Sequence, residues 1–512
     1  MLSDSNKLIL NNTILLYSRM LVTMVIGFLT TRIVLDQLGA SDYGIYFVVG
    51  GIVALFSLLN GSMSGATQRW ITIALGEGDQ NYLNRVFVVG MTAQLGITFI
   101  AVGLYESLGL WYLDHYAVFP KERFEAVFWV FQFSVVAAVI QLLSAPFIGA
   151  ITAHEKMSAL VYVAFIDVFV KVVICILLPF APLDKLVFYA GVILLGEVAK
   201  IGFYILHCRN HFEEARFSFG WDAAIFRDMW RIAFWSLSGN IAFITYTQGI
   251  TLLINFYFGP SVNAAAGVAT QAANIVNQFR ANFQQAMKPQ IMKNFAQKKL
   301  PEMEKLVIRS SKFSQYLVLM FGVPLFLEAP FLLDIWLKDV PPHAAEFLRA
   351  SLFVAMAMTV REPLVTSAMA SGDLRRYSVV VISILMTILP LAYVAYSLGA
   401  APTAGLWISF AVIAVAVLAS AYMLQGMTGL RFGRFLRGAL LPSLLVTAFA
   451  FLPPFLVQMI LDEGWLRLIT VSFVSLISSV GVIYMFGLAE GEKSFFRHKT
   501  IALLGRLGLR AR

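Results

Sequence analysis

A succession of apolar windows, each about 20 residues long and separated by short polar stretches, constrains this chain more than any other feature. They fall near residues 12–33, 43–66, 86–110, 125–152, 157–182, 186–208, 230–258, 262–287, 313–337, 346–370, 376–398, 403–425, 438–461 and 465–488. A helix of that length spans about 30 Å, the thickness of a bilayer's hydrocarbon core. The pattern predicts an all-α polytopic membrane protein of about fourteen transmembrane helices. Charged residues make up 13% of the 512 positions, against about 25% in soluble proteins, which excludes a soluble globule. The first window is too long for a signal-peptide core and has no small-residue cleavage site, so it is expected to stay as a helix. The thirteenth, with Pro442, Pro453 and Pro454, is expected to be kinked or partly re-entrant.

Orientation follows from lysine and arginine, which resist translocation. Loops on the side of the termini hold about 26 of the 38 basic residues and the opposite loops about 7, which predicts that both termini are cytoplasmic. The net charge of +9 is therefore read as topological, not as a nucleic-acid surface. Two readings stand for the basic tail from Lys493 to Arg512: an amphipathic helix on the anionic leaflet, or a solvated anchor. Cys175 and Cys208 support no disulfide framework, and the six histidines form no ligand-spaced motif. No metal or cofactor is expected.

A shift of about 220 residues places the first six windows on the next six. Leu38-Gly39 then matches Phe258-Gly259, Thr67-Gln68-Arg69 matches Met287-Lys288-Pro289, and Ala145-Pro146 matches Glu362-Pro363. An even number of helices per repeat gives two lobes of the same orientation, related by a pseudo-two-fold along the membrane normal, with substrate expected between them. The expected division is 1–210, 211–428, an added helix pair at 429–488, and a basic tail at 489–512.

Charges inside a span are functional candidates by default, because lipid makes them costly. The cations are Arg19, Lys171, Lys200, Arg280 and Arg361. Asp167 precedes Lys171 by four residues and Glu197 precedes Lys200 by three, so each pair shares a helix face and self-neutralisation is the simplest reading. Arg361 adjoins Glu362, but consecutive positions diverge by about 100°, and Arg19 and Arg280 have no acid within a helical turn. In the first span Asn12, Arg19, Thr23 and Thr30 form one polar stripe; in the seventh, Ser236, Asn240, Thr247 and Thr251 repeat it. The eighth carries Gln271, Asn274, Gln278, Asn282 and Gln285 on one side and Asn277, Arg280 and Gln284 on the other, so neither side suits lipid. Arg280 is also close enough to the span's end to snorkel.

Guanidinium forks suit phosphate oxygens, and amides and hydroxyls suit sugar hydroxyls, so the stripes point to an anionic, sugar-bearing headgroup. Asp167, Glu197 and Glu362 are the acids placed to carry a coupling proton or sodium ion. No nucleophile with its base and no GxxxxGK[ST] loop is present, and loops of at most about 25 residues leave no room for a catalytic domain, so no enzyme is expected. The GxxxG at Gly61 and Gly65 is explained by close helix packing.

The runs RIVLDQLGASDYGIYFVV (Arg32 to Val49), ATQRWITIALGEGD (Ala66 to Asp79) and MKPQIMKNFAQK (Met287 to Lys298) resemble bacterial polysaccharide flippases. These are O-antigen-type translocases of the multidrug/oligosaccharidyl-lipid/polysaccharide exporter superfamily. The resemblance implies a two-lobed transporter in the bacterial inner membrane that moves an undecaprenyl-pyrophosphate-linked oligosaccharide to the periplasmic leaflet by alternating access. It places Arg19 where related lipid II flippases line their cavity with cations, and implies that the added helix pair forms a groove for the lipid tail. Expected partners are the lipid-linked glycan, membrane lipids, a proton or sodium ion, and other glycan-assembly proteins. The rival is an ion-coupled drug or metabolite efflux antiporter of the same superfamily, against which the excess of intramembrane cations argues.

Overall fold

The computed structural model describes residues 4–56, 67, 70–71, 74–75, 78–154, 156–182, 184–215, 220–371 and 374–494; within these, the side chains of 4–24, 55–56, 157, 231–243, 282, 285–286, 289, 296 and 374 lie outside the description. Among the described residues the regular structure is helical, with no strand. In chain order the helices are α1 (Asp4–Phe56), α2 (Gln80–His115), α3 (Phe124–Ala153), α4 (Met157–Leu177), α5 (Lys185–His211), α6 (Ala223–Phe258) and α7 (Pro260–Ala296). There follow α8 (Leu300–Leu327), α9 (Ala329–Trp336), α10 (Ala344–Ser371), α11 (Arg375–Ser397), α12 (Ala404–Thr428), α13 (Phe432–Ile460) and α14 (Trp465–Gly487). Nine of the described helices are long and apolar enough to cross a membrane, ten if the bent pair α8 and α9 is one span. The chain is a multi-pass membrane protein, and within the described residues every apolar window falls on helix.

The first two windows share α1, which breaks at Gly39 (φ 75°, ψ 168°); Gly259, 220 residues later, separates α6 from α7 with nearly the same backbone (φ 81°, ψ −179°). That conformation is open to glycine and strained for other residues. Pro146 and Pro363, also aligned by the repeat, both lie inside helices, α3 and α10.

Each proline removes a backbone donor and frees the carbonyl four residues earlier, which in lipid needs a new partner. Pro454 frees Ala450, to which Ser478 of α14 donates at 3.1 Å. Thus α13, expected to be kinked or re-entrant, runs on as one helical span, its irregularity a π turn at Leu436–Leu440 just before Pro442. Pro363 frees Thr359, whose carbonyl accepts from Gln284 Nε2 of α7 at 3.0 Å. The sharp break lies instead inside the ninth window, where α8 and α9 meet at 79° across Glu328. There Pro330 frees Phe326, which accepts from Arg349 Nε at 3.0 Å, and the neighbouring Leu327 carbonyl accepts from Gln458 at 2.6 Å.

Packing divides the chain into two compact units. The first comprises Met1–Val268, Trp336–Ala344 and Met386–Gly405. Its core stacks Ile45, Ile52, Tyr105, Phe131 and Leu142 in one cluster and Phe87, Phe147, Ile151, Tyr204 and Met229 in another. Arg123 pairs with Asp42 at 2.5 Å and with Asp184, the N-cap of α5, tying three turns together. Asp36 pairs with Lys338 at 2.9 Å, and Trp336 Nε1 donates to the Phe28 carbonyl at 2.8 Å. The connection between α5 and α6 is held by His154–Glu214 (2.6 Å) and by Thr92 donating to the Gly220 carbonyl (3.1 Å).

The second unit comprises Ala269–Ile335, Ala345–Leu385 and Leu406–Arg512. Here Lys312 of α8, buried, pairs with Glu492 at 2.5 Å and donates to the Gly487 carbonyl at 3.1 Å, fixing the end of α14 to α8. Burial pushes the Glu492 carboxyl up, but hydrogen bonds from Lys312 and the Ala489 N–H, with the Lys312 charge and the hydrogen bond from Arg309, hold it below its ordinary 4.5. A depressed carboxyl contributes stability above its unfolded pKa and loses it as pH falls through the folded value. Thermal melts of the detergent-solubilised protein should therefore fall as pH drops below about 4.5. In Glu492→Gln the acid limb should be shallower and the neutral melting temperature lower.

Candidate functional site

Among the described residues, the charged side chains expected within the spans gather in two groups, one in each unit. In the second unit Arg280 and Lys288 stand two helical turns apart on α7 and converge on Glu362 of α10. Lys288 Nζ is 3.2 Å from one carboxylate oxygen and Arg280 Nη1 3.9 Å from the other. Arg280 Nη1 also donates to Gln284 Oε1 at 3.2 Å, and the Gln284 amide nitrogen is spent on the carbonyl freed by Pro363. Thr359 continues the network by donating to Gln315 of α8 at 2.5 Å. A proline thus creates the carbonyl that orients a glutamine, and the glutamine orients Arg280.

The guanidinium is under-used. It carries five N–H donors, yet its Nε is buried with no hydrogen-bond partner among the described residues. The same holds for Nε of Arg361, whose Nη1 turns back to Met358 Sδ at 4.0 Å. Two cations thus share one carboxylate and keep guanidinium donors to spare, which is chemistry suited to an anion with several acceptor oxygens. The Arg280 side chain is 17% exposed.

In the first unit Lys200 of α5 lies 2.6 Å from Glu197 and 2.9 Å from Asp167 of α4, and Gln141 of α3 donates to Glu197 at 3.3 Å. Of the two pairings expected within single helices, Glu197–Lys200 forms. Asp167–Lys171 does not: Asp167 crosses to α5, where one ammonium serves two carboxylates. Lys171 is half-buried and has no ion-pair partner among the described residues. The group of Asp167, Glu197 and Lys200 carries one net negative charge and can hold a proton or a small cation.

Asn12, Arg19 and Thr23 lie on α1, and Ser236 and Asn240 on α6, with side chains outside the described residues, as are those of Asn282 and Gln285. The hydroxyls of Thr30, Thr247 and Thr251 bond back to carbonyls of their own helices, at 2.7, 3.1 and 3.3 Å. On α7 Asn274 and Gln278 are exposed and Gln271 and Asn277 half-buried. Lys288 joins the site although it reads as a loop cation, and the Glu328–Arg467 pair at the α8–α9 break (3.0 Å) has no counterpart among the expected residues. The sequence does carry a clue to it: Glu328 lies in an apolar window between Pro324 and Pro330.

No family model matches the sequence, and no curated protein matches it. Solved structures do. The lipid II flippase MurJ in an inward closed conformation is 10% identical, with a TM-score of 0.69 over 92% of this chain and 98% of that one. An inward-facing multidrug resistance MATE family transporter of the MOP superfamily is 15% identical, with a TM-score of 0.63 over 80% of this chain and 98% of that one. An outward-facing MATE structure is 15% identical, with a TM-score of 0.56 over 82% and 95%. The chain has the fold of these transporters. Identities this low carry the architecture and leave cargo and residue roles to the chemistry of the site.

Proposed function

We propose that this protein flips an undecaprenyl-pyrophosphate-linked oligosaccharide from the cytoplasmic to the periplasmic leaflet of a bacterial inner membrane by alternating access, without covalent chemistry. The observation that carries the reading is the surplus of cations over carboxylates where α7 meets α10. Arg280 and Lys288 share Glu362, and Nε of Arg280 and of Arg361 is buried with no hydrogen-bond partner among the described residues. On this reading Arg280, Lys288 and Arg19 hold the pyrophosphate, and Gln271, Asn274 and Gln278, with Asn12, Thr23, Asn240 and Thr247, meet the sugars. Only the headgroup crosses, because the polyprenyl tail is already soluble in lipid. Coverage supports a lipid cargo. MurJ, named for flipping lipid II, spans 92% of this chain against 80% for the MATE transporter, and the added helices α13 and α14 supply the extra length a tail groove needs. An apolar cleft of the second unit, lined by Val318, Phe326, Phe353, Met356 and Phe451, has the chemistry of such a groove.

The Asp167–Lys200–Glu197 group is assigned to ion coupling, with both termini cytoplasmic. That group would equally serve a cation-coupled efflux antiporter, so the assay must separate the cargoes. Loss of one guanidinium–phosphate interaction costs about 1.5–3 kcal/mol, or roughly 10- to 150-fold in affinity. Arg19→Ala and Arg280→Gln should each abolish glycan export and accumulate lipid-linked glycan while the protein remains in the membrane. Normal export by both, or dye efflux with unaltered glycans in the wild type, overturns the reading in favour of the antiporter.

A further inference from the structure

We infer that Glu362 is a specificity determinant: its carboxylate stands where a phosphate oxygen of the cargo would sit and keeps singly charged phosphodiesters out. The inference rests on the pyrophosphate reading above. Its starting point is that the two α7 cations already have an internal anion, with Lys288 at 3.2 Å and Arg280 at 3.9 Å from the two oxygens of one carboxylate. The arrangement copies the way two cations grip two oxygens of a phosphate.

A bilayer presents phosphodiester headgroups in great excess over any lipid-linked glycan intermediate, and each is an anion that an open pair of cations would accept. With Glu362 in place, a monoanion would have to displace a monoanion. It gains one charge–charge interaction, loses another of equal kind, and leaves a carboxylate without its cations inside the membrane. The exchange has no driving force. A pyrophosphate carries more charge and more acceptor oxygens. It can bind Lys288 and Arg280 and also engage the guanidinium N–H groups that Glu362 leaves unused, among them the buried Nε of Arg280. Discrimination therefore comes from a built-in competitor as much as from attraction to the right ligand.

The rest of the surroundings agree. Gln284 is fixed to the Thr359 carbonyl at 3.0 Å and presents its oxygen to Arg280, so the guanidinium is held in place whether or not Glu362 is engaged. Glu362 is 33% exposed at its side chain, which leaves it free to swing aside, and no further carboxylate pairs with Arg280 or Lys288 among the described residues.

The test uses the full-length protein in nanodiscs and measures binding of a polyprenyl pyrophosphate in neutral lipid and in lipid containing phosphatidylglycerol. Wild-type affinity should be nearly the same in both. In Glu362→Gln, affinity in neutral lipid should exceed that of the wild type, because no carboxylate has to be displaced, and phosphatidylglycerol should weaken it by about tenfold or more. An equal response of wild type and variant to phosphatidylglycerol, or binding by the variant in neutral lipid no tighter than that of the wild type, overturns the inference. If the glutamine variant does not accumulate, Glu362→Asp withdraws the charge by one methylene and should admit phosphatidylglycerol part-way; wild-type behaviour then overturns it too. Inorganic pyrophosphate is the second probe. If it binds as tightly as the prenyl form, with the same dependence on Glu362, the assignment of Glu362 stands and the lipid-linked cargo falls.

Discussion

Gly44→Ala should force apart the turn ends that meet in the first unit. A Cβ at Gly44 falls 1.7 Å from the Pro260 carbonyl oxygen and 2.5 Å from its carbon. Both are backbone atoms, so no rotamer change relieves the clash, and nearby the Phe47 side chain packs against Gly267, 3.0 Å from a Cβ built there. The helix segment after Gly39 and the start of α7 after Gly259 therefore touch backbone to backbone, and they are equivalent positions of the repeat. Overpacking of this kind costs about 1–3 kcal/mol, which moves a two-state equilibrium roughly 5- to 150-fold. The readout is unfolding of the detergent-solubilised protein, and Gly44→Ala should be less stable than the wild type by that amount. Gly50 is the control, because nothing lies within 4 Å of a Cβ there, and Gly50→Ala should unfold as the wild type does. Undiminished stability of the Gly44 variant would mean that the close approach is soft.

Hydropathy is a local property, so it locates helices well and their partners badly. Within the described residues each apolar window falls on helix, and the repeat inferred from short matches reappears as the shared backbone of Gly39 and Gly259. Side-chain pairings were legible only where both partners sit one turn apart on the same helix, as in Glu197–Lys200. Asp167 had an equally good local partner in Lys171 and instead joined Lys200 on the next helix, a choice that depends on packing and leaves no trace in spacing. Arg280 has no acid within a turn because its acid is on α10. Prolines were legible as perturbations but not as outcomes. The Pro453-Pro454 pair stays inside one helix, and Ser478 bonds the Ala450 carbonyl that Pro454 frees, whereas Pro330, two residues after a buried acid, accompanies a 79° break.

That break supplies the other large expected effect. Arg467→Met should destabilise the protein by about 3–5 kcal/mol, the usual consequence of leaving a buried charge without its partner. Glu328 is fully buried, and Arg467 reaches one of its oxygens with both Nε (3.1 Å) and Nη2 (3.0 Å). The other oxygen is buried with no hydrogen-bond partner among the described residues, so Arg467 carries most of the compensation. The position aggravates the need, because Glu328 caps the C-terminal end of α8, where the helix dipole is itself negative. Arg467 belongs to α14, so the added helix pair neutralises the bend of α8 as well as lying beside it. If burial of a lone carboxylate is the cause, removing that carboxylate as well should restore stability, and Glu328→Met with Arg467→Met should melt within about 1 kcal/mol of the wild type. A structural role for the bidentate contact itself predicts the opposite, a double variant as unstable as Arg467→Met alone. Unfolding of the three proteins in the same detergent separates the two causes, because only the first makes the second substitution compensate for the first.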